Sequence, residues 1–528
     1  MVSTLSRRGS VIWSAIAGVV SAAAFLAVAE LVALIVAREG SPILAVGSFV
    51  IDIVPQPLKE LAISTFGAYD KIALLIGLAL AVLVASAIAG MLELWRPFAG
   101  VAAMGIAGVL SIAAIVTRAG ATPLAAIPPI VGAAAGGVLI FVLVRRARAW
   151  REGTRTAAEA DTDSVAAGGT TANPDRRAFF RLTAIAAVSA AVVGIGARLV
   201  NTATSSIANV REALRLPSPR TTVTIPAGAE LDIPGLSDLI TPNADFYRVD
   251  TALTVPSVDP SAWRLAVTGM VDEPFELSFD DLVGMGLDEY AITLTCVSNE
   301  VGGGLVGNAI WQGIPLRDVL RRAGVQEGAD MVLSRSVDGY TASTPLETLT
   351  DEGRDAILAV AMNGAPLPLE HGFPVRMVVP GLYGYVSATK WVTELKVTTF
   401  AADEAYWTPR GYSARAPIKM SSRIDTPRSG TPVAAGRVPI AGVAWAQTTG
   451  ISRVEVKVDD GDWMPATLST PINADTWVQW FTEWDATPGT HYVTVRAVDA
   501  SGVTQIEDRA PIAPDGSSGW QRTLITVN

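Results

Sequence analysis

Four long apolar runs occupy most of the first 150 residues, and they constrain the fold more than any other feature of the sequence. They cover residues 11–37, 72–92, 98–117 and 124–144. Each run has about the 20 residues that an α-helix needs to cross the hydrocarbon core of a bilayer. Backbone polar groups in that core must pair within their own segment, which favours helices. The sequence therefore predicts an all-α, four-span transmembrane domain over residues 1–150.

Arginine placement predicts how these spans are oriented. Arg7 and Arg8 precede the first run, Arg96 follows the second, and four more arginines follow the fourth. Cytoplasmic loops carry an excess of Arg and Lys, so we expect the N-terminus inside and residues 41–70 outside. The stretch FVIDIVPQPLKELAI in that outer segment is too broken to span and is expected at the membrane interface. Glu30, within the first run, is either a functional membrane carboxylate or one that reaches the interface.

A polar segment over residues 151–178 is predicted to be a cytoplasmic linker, and a fifth apolar stretch follows at 179–200. The pair Arg176–Arg177, placed before two phenylalanines, resembles a twin-arginine export signal. The alternative is an ordinary fifth span with cytoplasmic arginines. Both interpretations place the rest of the chain outside the cytoplasm. Because no small-residue cleavage motif follows, we expect a permanent anchor in a bacterial cell membrane with five spans.

The remainder of the chain is acidic and poor in metal-binding side chains. Residues 201–528 hold 24 Lys+Arg against 39 Asp+Glu, whereas residues 1–200 hold 16 against 11. Nucleic-acid binding depends on clustered basic residues, so this acidity argues against a nucleic-acid partner. A single cysteine excludes a disulfide scaffold, an iron–sulfur cluster and a Cys-x-x-Cys-His haem attachment. Residues 1–200 contain no histidine, so we also expect no haem between the membrane helices.

Two different patterns divide the acidic part of the chain. Residues 201–420 mix helical stretches such as LRDVLRRAGV with strand-like runs such as KWVTELKVTTF. From Ser421 onward, VPIAGVAWA, SRVEVKVDD, HYVTVRAVDA and QRTLITV are short alternating strands separated by turns. They predict an immunoglobulin-like sandwich over residues 421–528. The predicted fold class is therefore multi-domain: an all-α transmembrane bundle, an α+β domain and an all-β sandwich.

Cys296, the single cysteine, ends a strand-like run in TLTCVSNEVGG. A free cysteine is commonly a small buried hydrophobic residue. A nucleophile would need a histidine partner, and only His371 and His491 are present. A zinc site would need several more Cys or His ligands. A single thiolate suits a metal whose other ligands come from an organic cofactor.

Five motifs, in this order along the chain, resemble the sulfite oxidase family of molybdopterin-dependent oxidoreductases: TLTCVSNEVGG, WQGIPLRDVL, SVDGYTASTPLE, MNGAPLPLEHGFPVRMVVPGLYGYVSATKWV and YWTPRGYS. The resemblance covers roughly residues 243–528. It implies a molybdopterin domain followed by the family's dimerisation domain. It also implies that Cys296 ligates molybdenum beside the two dithiolene sulfurs of one molybdopterin, a soft donor for a sulfur-ligated metal.

The same resemblance implies the other site residues, motif by motif. Those expected to contact the cofactor are Asn243, Phe246, Tyr247 and Arg248 in NADFYRVD, Asp338 in SVDGY, His371 and Arg376 in HGFPVR, and Ser387, Thr389 and Lys390 in SATK. For His371 and Arg376 the alternatives are a core histidine and a surface ion pair. Tyr412 matches the family's active-site tyrosine, and Trp311 is either a pocket residue or a core tryptophan.

One departure from the family concerns the substrate. Sulfite oxidases carry CAGNRR-like arginines after the cysteine, whereas here Asn299 is followed by Glu300 and Val301. Losing that positive charge should weaken oxyanion binding, although Arg410 or Arg415 could compensate. The resemblance implies a membrane-anchored, extracytoplasmic molybdenum oxidoreductase that transfers an oxygen atom to or from a small S- or N-containing substrate. A separate electron-transfer protein and a homodimer through the sandwich are its expected partners. The alternative is a cofactor-dead binding or assembly module on the same fold.

Overall fold

The computed structural model describes residues 7–36, 70–116, 123–160, 179–185, 187–189, 203–252 and 255–528, together with residues 42, 46 and 177. The chain divides into two compact units. The N-terminal unit comprises residues 1–205 with 251–254, and the C-terminal unit comprises 206–250 with 255–528. The predicted interfacial stretch before residue 70 lies almost wholly outside the described residues, and so does Arg176.

Four long helices build the N-terminal unit. They are α1 (Arg7–Val36), α2 (Asp70–Trp95), α3 (Ala99–Val116) and α4 (Ile127–Ala160). Each contains an apolar stretch long enough to cross a membrane, as the sequence predicts. Of the predicted fifth span, residues 179–185 and 187–189 are described and are helical. The number of spans and their orientation stay predictions.

Small residues let these helices approach closely. A Cβ atom added at Gly90 of α2 would lie 1.9 Å from the carbonyl oxygen of Ser14 in α1. A Cβ atom at Gly132 of α4 would lie 2.4 Å from the ring of Phe25 in α1. Close backbone approach through small residues is the usual way in which helices pack within a bilayer.

A buried carboxylate closes the corner between α2 and α3. Glu93 is 1% exposed, and its carboxylate accepts hydrogen bonds from the backbone N–H groups of Phe98 at 3.0 Å and Gly100 at 2.8 Å. These groups belong to the start of α3, whose first N–H groups have no partner within the helix. Glu93 therefore caps α3, a role that the hydropathy pattern does not reveal.

The two phenylalanines after the arginine pair pack inside the N-terminal unit. Phe179 has no exposed surface, and the ring of Phe180 lies 4.8 Å from that of Trp13, centroid to centroid. Trp150 lies 5.9 Å from the Phe180 ring. The apolar part of the predicted signal is thus packed against α1 and α4.

The first part of the C-terminal unit is an α+β structure. Its helices are α5 (Ala203–Ala213), α6 (Phe279–Gly284), α7 (Leu316–Ala323) and α8 (Leu346–Thr350). Its strands are β1 (Arg264–Gly269), β2 (Phe275–Ser278), β3 (Asp288–Thr295), β4 (Val306–Pro315), β5 (Met331–Ser336), β6 (Thr341–Pro345), β7 (Ile357–Met362), β8 (Ala365–Pro366), β9 (Arg376–Val378) and β10 (Val392–Thr398).

Two sheets organise these strands. One has the order β2-β1-β10-β5-β6, and the other has the order β3-β4-β7-β8, with β9 paired to β7. β3 and β4 are antiparallel, and Thr295 pairs with Val306 where their connection begins and ends. Cys296 is the first residue of that connection. β3 lies at the edge of its sheet, which leaves one side of the strand without a neighbouring strand.

The second part of the C-terminal unit is an antiparallel sandwich. Its strands are β11 (Ser421–Thr426), β12 (Gly436–Trp445), β13 (Ile451–Val458), β14 (Met464–Pro465), β15 (Thr467–Leu468), β16 (Val478–Ala486), β17 (Gly489–Asp499) and β18 (Gln521–Val527). They form two sheets of orders β11-β12-β16-β15 and β14-β13-β17-β18. Ile440 and Trp480 of the first sheet share one core with Val456 and Val495 of the second. The predicted sandwich is confirmed.

Candidate active site

Cys296 lies at the base of a hydrogen-bonded loop between β3 and β4. Its backbone N–H donates to the carbonyl of Leu305 at 2.9 Å, and its carbonyl accepts from Asn299 N–H at 3.0 Å. The Asn299 side-chain oxygen accepts from Leu305 N–H at 2.8 Å. The side chain of Cys296 is buried, and this burial raises the pKa of the thiol, while Ser298 and Lys390 act in the opposite direction.

No protein ligand set surrounds this thiol. Within the described parts of the chain, no group of three or more His, Cys, Asp or Glu side chains could hold a metal ion. A metal bound by Cys296 would therefore need most of its ligands from a cofactor. This observation agrees with the chemistry expected of a single thiolate.

Arg376 is a buried guanidinium on β9. It is 5% exposed and donates to the carbonyls of His371 and Met377, each at 3.2 Å. Among the described residues no carboxylate pairs with it. Burial lowers the pKa of Arg376 to about 10, which leaves it charged at neutral pH. A buried cation of this kind is stabilised by an anion, and the planar guanidinium can bind a phosphate through two parallel hydrogen bonds.

Lys390 supplies a second buried cation. Its Nζ atom lies 2.9 Å from the Asp250 carboxylate and 3.0 Å from the Glu370 carbonyl. Burial lowers the pKa of Lys390 to about 8, and Asp250 opposes this shift. The next residue, Trp391, has a φ of +51°, which non-glycine residues rarely adopt, and its indole N–H donates to the Leu369 carbonyl at 3.0 Å.

Asp250 is shared between two of the predicted cofactor residues. Arg248 Nε also lies 2.9 Å from its carboxylate. Arg248 and Lys390 thus share one carboxylate, that of Asp250, and the buried Arg376 adds a third positive charge that Asp250 does not pair with. The region carries excess positive charge and fits an anionic phosphate. Sequence reasoning missed Asp250, although it is the last residue of the NADFYRVD motif.

His371 is a neutral, buried histidine that contacts the same motif. Its Nε2 atom lies 3.2 Å from the carbonyl oxygen of Asn243, a contact that assigns the proton to Nε2. Burial lowers the pKa of His371 to about 4, and Arg376 and Lys390 add to the shift. The close turn after it requires Gly372, because a Cβ there would lie 3.1 Å from that of Lys390 and φ is +111°.

Two aromatic rings lie beside Arg376. The Arg376 guanidinium lies 5.1 Å from the ring centroid of Trp311, and Phe246 meets the same ring edge-on at 5.7 Å. Trp311 has no exposed surface and donates to the Ile292 carbonyl at 3.0 Å. Of the two alternatives for Trp311, the structure places it in the core, beneath Arg376.

Tyr247 connects the cations with the thiol. Its ring stacks on Phe246 at 5.2 Å. Burial raises the pKa of Tyr247, with a further increase from Cys296 and a decrease from Arg376. The tyrosine is therefore within electrostatic range of both groups.

The hydroxyls of the SATK motif face the protein interior. Ser387 Oγ donates to the carbonyls of Leu382 and Tyr383 at 3.1 and 3.0 Å. Thr389 Oγ1 lies 2.7 Å from Ser334 Oγ. Both side chains are fully buried. In this structure they stabilise the turn that presents Lys390, whereas the resemblance had implied phosphate contacts.

Tyr412 belongs to a second group of rings, which we call the aromatic cluster. Its members are Tyr340, Tyr385, Tyr406, Trp407 and Tyr412, and consecutive contacts within it have centroid distances of 5.2–5.7 Å. Tyr340 donates to the Tyr385 carbonyl at 2.8 Å. Burial raises the pKa of Tyr340, and electrostatic repulsion from Asp338 and Cys296 adds smaller increases. Asp338 and Tyr412 therefore sit with this cluster, and Tyr340 links it electrostatically to the thiol.

Glu300 and Val301, which follow Asn299 where the family carries arginines, do not supply a cation. Asn299 holds the loop through Leu305, and Glu300 is exposed. Arg410 lies in the aromatic cluster, 3.7 Å from the ring centroid of Tyr406. Arg415 is exposed and lies 3.8 Å from Glu347. Arg410 is therefore the better placed of the two predicted compensating arginines.

Comparison with known proteins identifies relatives of both domains of the C-terminal unit. Residues 252–407 match the oxidoreductase molybdopterin binding domain, and residues 421–495 match the bacterial Ig domain. Human mitochondrial sulfite oxidase is 32% identical over 342 residues, covering 55% of this chain and 62% of the human protein. Chicken sulfite oxidase is 30% identical over 321 residues, covering 52% of this chain and 69% of the chicken protein. The crystal structure of the sulfane dehydrogenase SoxCD from Paracoccus pantotrophus aligns with 61% of this chain and 92% of its own, at 23% identity and a TM-score of 0.49.

Fold and matches together define a molybdopterin-binding domain joined to an immunoglobulin-like domain, as the sequence predicts. The chain belongs to the sulfite oxidase family. It spans 62% of the length of the human relative.

Proposed function

We propose that this protein is a membrane-anchored molybdenum–molybdopterin oxidoreductase that catalyses two-electron oxygen-atom transfer on a small S- or N-containing substrate. The observation that carries the proposal is a lone buried thiol at the end of β3 together with a buried excess of positive charge. Trp311 contacts both regions, because its indole N–H donates to the Ile292 carbonyl of β3 and its ring centroid lies 5.1 Å from the Arg376 guanidinium. Cys296 offers one soft ligand, and Arg376 and Lys390 offer a site for an anion. A molybdenum ion with a phosphorylated pterin matches both requirements.

Each of these groups has a distinct task in the proposed site. Cys296 would hold the metal, and Arg248, Arg376 and Lys390 would hold the pterin phosphate through charge-assisted hydrogen bonds. The bound cofactor supplies the two-electron redox chemistry and the exchangeable oxygen. Metal binding requires the thiolate, so a metal would offset the effect of burial that keeps Cys296 protonated.

The aromatic cluster is proposed to form the substrate side of the site. Its packed rings exclude water, and the Tyr412 phenol can donate a hydrogen bond to a polar substrate atom. Arg410, which lies over Tyr406, is the cation associated with these rings. Because Glu300 and Val301 stand where the family carries arginines, we propose that neutral S-oxides or N-oxides are preferred over sulfite.

A substrate panel on full-length, detergent-purified protein tests this function. Molybdenum and molybdopterin are first quantified per chain, and turnover is then followed with an artificial redox dye. We expect near-stoichiometric molybdenum and a higher kcat/KM for S- or N-oxides than for sulfite. Folded protein without molybdenum would contradict the proposal and favour a cofactor-dead binding module. Faster turnover of sulfite would contradict the proposed substrate preference.

The proposed location is the outer face of a bacterial cell membrane, with five spans and a cytoplasmic N-terminus. The four apolar helices and the flanking arginines support it. Reporters fused after Asn528 should be active only outside the cytoplasm, and cytoplasmic activity would contradict this orientation. Replacing Arg176 and Arg177 by Lys should block export if the twin-arginine interpretation holds; unchanged export leaves the ordinary fifth span.

Two partners follow as part of the same proposal. A separate protein at the outer face is proposed to exchange electrons with the molybdenum, because residues 1–200 contain no histidine for a membrane haem. A homodimer through the C-terminal sandwich is proposed from the resemblance to the family's dimerisation domain. Sedimentation of the detergent-solubilised protein tests the second point, since a monomer would exclude it.

A further inference from the structure

The C-terminal sandwich covers the open edge of the strand that carries Cys296. β3 is the edge strand of its sheet. A loop of the sandwich runs along that edge: Asn473 Nδ2 donates to the Ala291 carbonyl at 2.9 Å, and Thr293 N–H donates to the Asp475 carbonyl at 3.0 Å. Trp477 N–H donates to Thr293 Oγ1 at 2.8 Å. Residues 473–477 therefore satisfy polar groups of β3 that a neighbouring strand would otherwise pair.

The sandwich also holds the loop that Cys296 begins. Arg423 on β11 donates to the Gly303 carbonyl at 3.1 Å, and Ser517 Oγ donates to the Asn299 carbonyl at 2.7 Å. The approach is close at the loop tip, because a Cβ at Gly302 would lie 2.8 Å from the Gln521 side chain. The sandwich thus contacts the strand before Cys296 and the loop after it.

We propose that Arg423 and Ser517 are positioning residues for Cys296, and that the sandwich holds the thiol in the orientation required for metal binding. Neither residue touches the thiol itself. Ser517 holds the carbonyl of Asn299, whose backbone N–H binds the Cys296 carbonyl and whose side chain binds Leu305. Loosening Asn299 would therefore free the turn that Cys296 opens. The importance of this orientation rests on the proposed function, whereas the contacts themselves do not.

Arg423 is itself held rigidly. Its Nε atom lies 2.6 Å from the Asp425 carboxylate, and its Nη2 atom donates to Ser237 Oγ at 2.9 Å. Both members of the Arg423–Asp425 pair are 8% exposed. Because the guanidinium is held by Asp425 and Ser237, it keeps the Gly303 carbonyl in a fixed position. Removing it would leave a buried carboxylate without its partner, which destabilises proteins strongly.

Ser517 is therefore the better residue for a test. Ser517→Ala removes one hydroxyl, and Ser517→Thr retains a hydroxyl as a rescue variant. Ser518→Ala is a matched control, because the neighbouring Ser518 Oγ also donates to a backbone carbonyl, that of Asp508 at 3.0 Å, within the sandwich. Arg423→Lys is a second variant that keeps a positive charge beside Asp425 while losing the forked geometry.

Hydrogen exchange of the full-length protein, followed by mass spectrometry of peptides covering residues 291–306, is the measurement. We expect Ser517→Ala to speed exchange of these amides about fivefold, the effect of one lost hydrogen bond on local opening. Ser517→Thr and Ser518→Ala should exchange like the parent, and Arg423→Lys should exchange at least as fast as Ser517→Ala. With molybdenum-loaded protein, kcat should fall in Ser517→Ala while KM for the same substrate is unchanged.

The outcomes separate this inference from the proposed function. Parent-like exchange in both Ser517→Ala and Arg423→Lys would overturn the positioning role and leave the molybdenum enzyme intact. Faster exchange with parent-like kcat would overturn the link between the sandwich and catalysis. A chain without molybdenum would overturn the proposed function, while the exchange result would still report the contacts.

Discussion

The two units of this chain place their apolar residues on opposite sides. In the N-terminal unit, large apolar side chains point outward: Leu80 is 58% exposed and Val109 is 65% exposed. In the C-terminal unit, even larger apolar side chains such as Trp311 and Trp480 have no exposed surface. Extended apolar exteriors are stable in lipid and are rare on water-soluble surfaces. Large apolar side chains therefore cover the outside of the N-terminal unit and fill the inside of the C-terminal unit.

Buried charge differs between the units as well. The N-terminal unit buries Glu93, whose carboxylate accepts hydrogen bonds from backbone N–H groups at the start of α3. The C-terminal unit buries Arg376, which donates to carbonyls and meets no carboxylate among the described residues. A satisfied charge serves the fold, whereas a charge without a counter-ion indicates a ligand. The chemistry is therefore expected to reside in the C-terminal unit alone.

The largest effect should come from the thiol of the C-terminal unit. Cys296→Ser should lower kcat by about 100-fold or more, because a hydroxyl is a harder ligand than a thiolate and alters the metal's electronics. The fold and the pterin should remain, since Arg376 and Lys390 still bind the phosphate. Dye-linked turnover and molybdopterin content measure the two effects. A serine variant that works at the parent rate would show that Cys296 does not ligate the metal.

Removing a cation should reduce cofactor binding. Lys390→Met leaves the buried Asp250 with less compensation, so we expect a tenfold or greater loss of molybdopterin per chain and destabilisation of about 3 kcal/mol. Lys396→Met is the matched control, because Lys396 pairs with Asp403 at 2.8 Å but is 38% exposed; it should cost at most about 1 kcal/mol. Equal losses in both variants would show that burial of the cation is not what matters.

A smaller effect concerns the loop that covers β3. Burial raises the pKa of Asp475 to about 6, with repulsion from Asp355 adding to it and Arg354 opposing it. The usual pKa of an aspartate is about 4, and the raised pKa of Asp475 is about 6. Between these two pH values, Asp475 stays protonated in the folded state and loses its proton in the unfolded state. Stability from this group therefore falls as pH rises through that window and stays lower above it.

Asp475→Asn should remove this pH dependence. We expect the variant to gain about 1–2 kcal/mol relative to the parent above pH 6 and nothing near pH 3. Thermal unfolding followed by tryptophan fluorescence at both pH values measures the difference. Asp460→Asn, at an exposed position, is the control. A parent and an Asp475→Asn variant with parallel pH profiles would contradict the raised pKa.

For the N-terminal unit we expect no haem absorption at all. Residues 1–200 contain neither histidine nor cysteine, the usual axial ligands of haem. Reduced-minus-oxidised visible spectra of the purified full-length protein should therefore lack a haem band. A stoichiometric band belonging to this polypeptide would give the N-terminal unit a redox role and break the division between the units.

The fold could be predicted from the sequence where periodicity carries it. Apolar runs identified α1 to α4, and alternating residues identified the sandwich. The end of α4 could not be predicted in this way, because the helix continues to Ala160 through AWREGTRTAAEA, a polar stretch rich in Ala, Arg and Glu. Such residues favour helix without being strongly apolar, so hydropathy marks the apolar part of α4 and misses its continuation.

The site was predictable only as far as motifs reach. Motifs predict site residues such as His371 and Arg376, but they do not predict that Arg248 and Lys390 share the carboxylate of Asp250. The inward orientation of Ser387 and Thr389 depends on packing that no motif encodes. Arg423 contacts Gly303 across 120 residues, and Ser517 contacts Asn299 across 218. Contacts this distant in sequence leave no local pattern.

The covered edge of β3 also protects the chain from mispairing. An open strand edge presents unpaired N–H and C=O groups that can template pairing with other molecules. β3 would be an effective template, because Ile292 and Leu294 beside that edge are apolar and almost fully buried in the intact protein. Because residues 473–477 occupy this edge, the sandwich is expected to prevent aggregation of the preceding domain through β3.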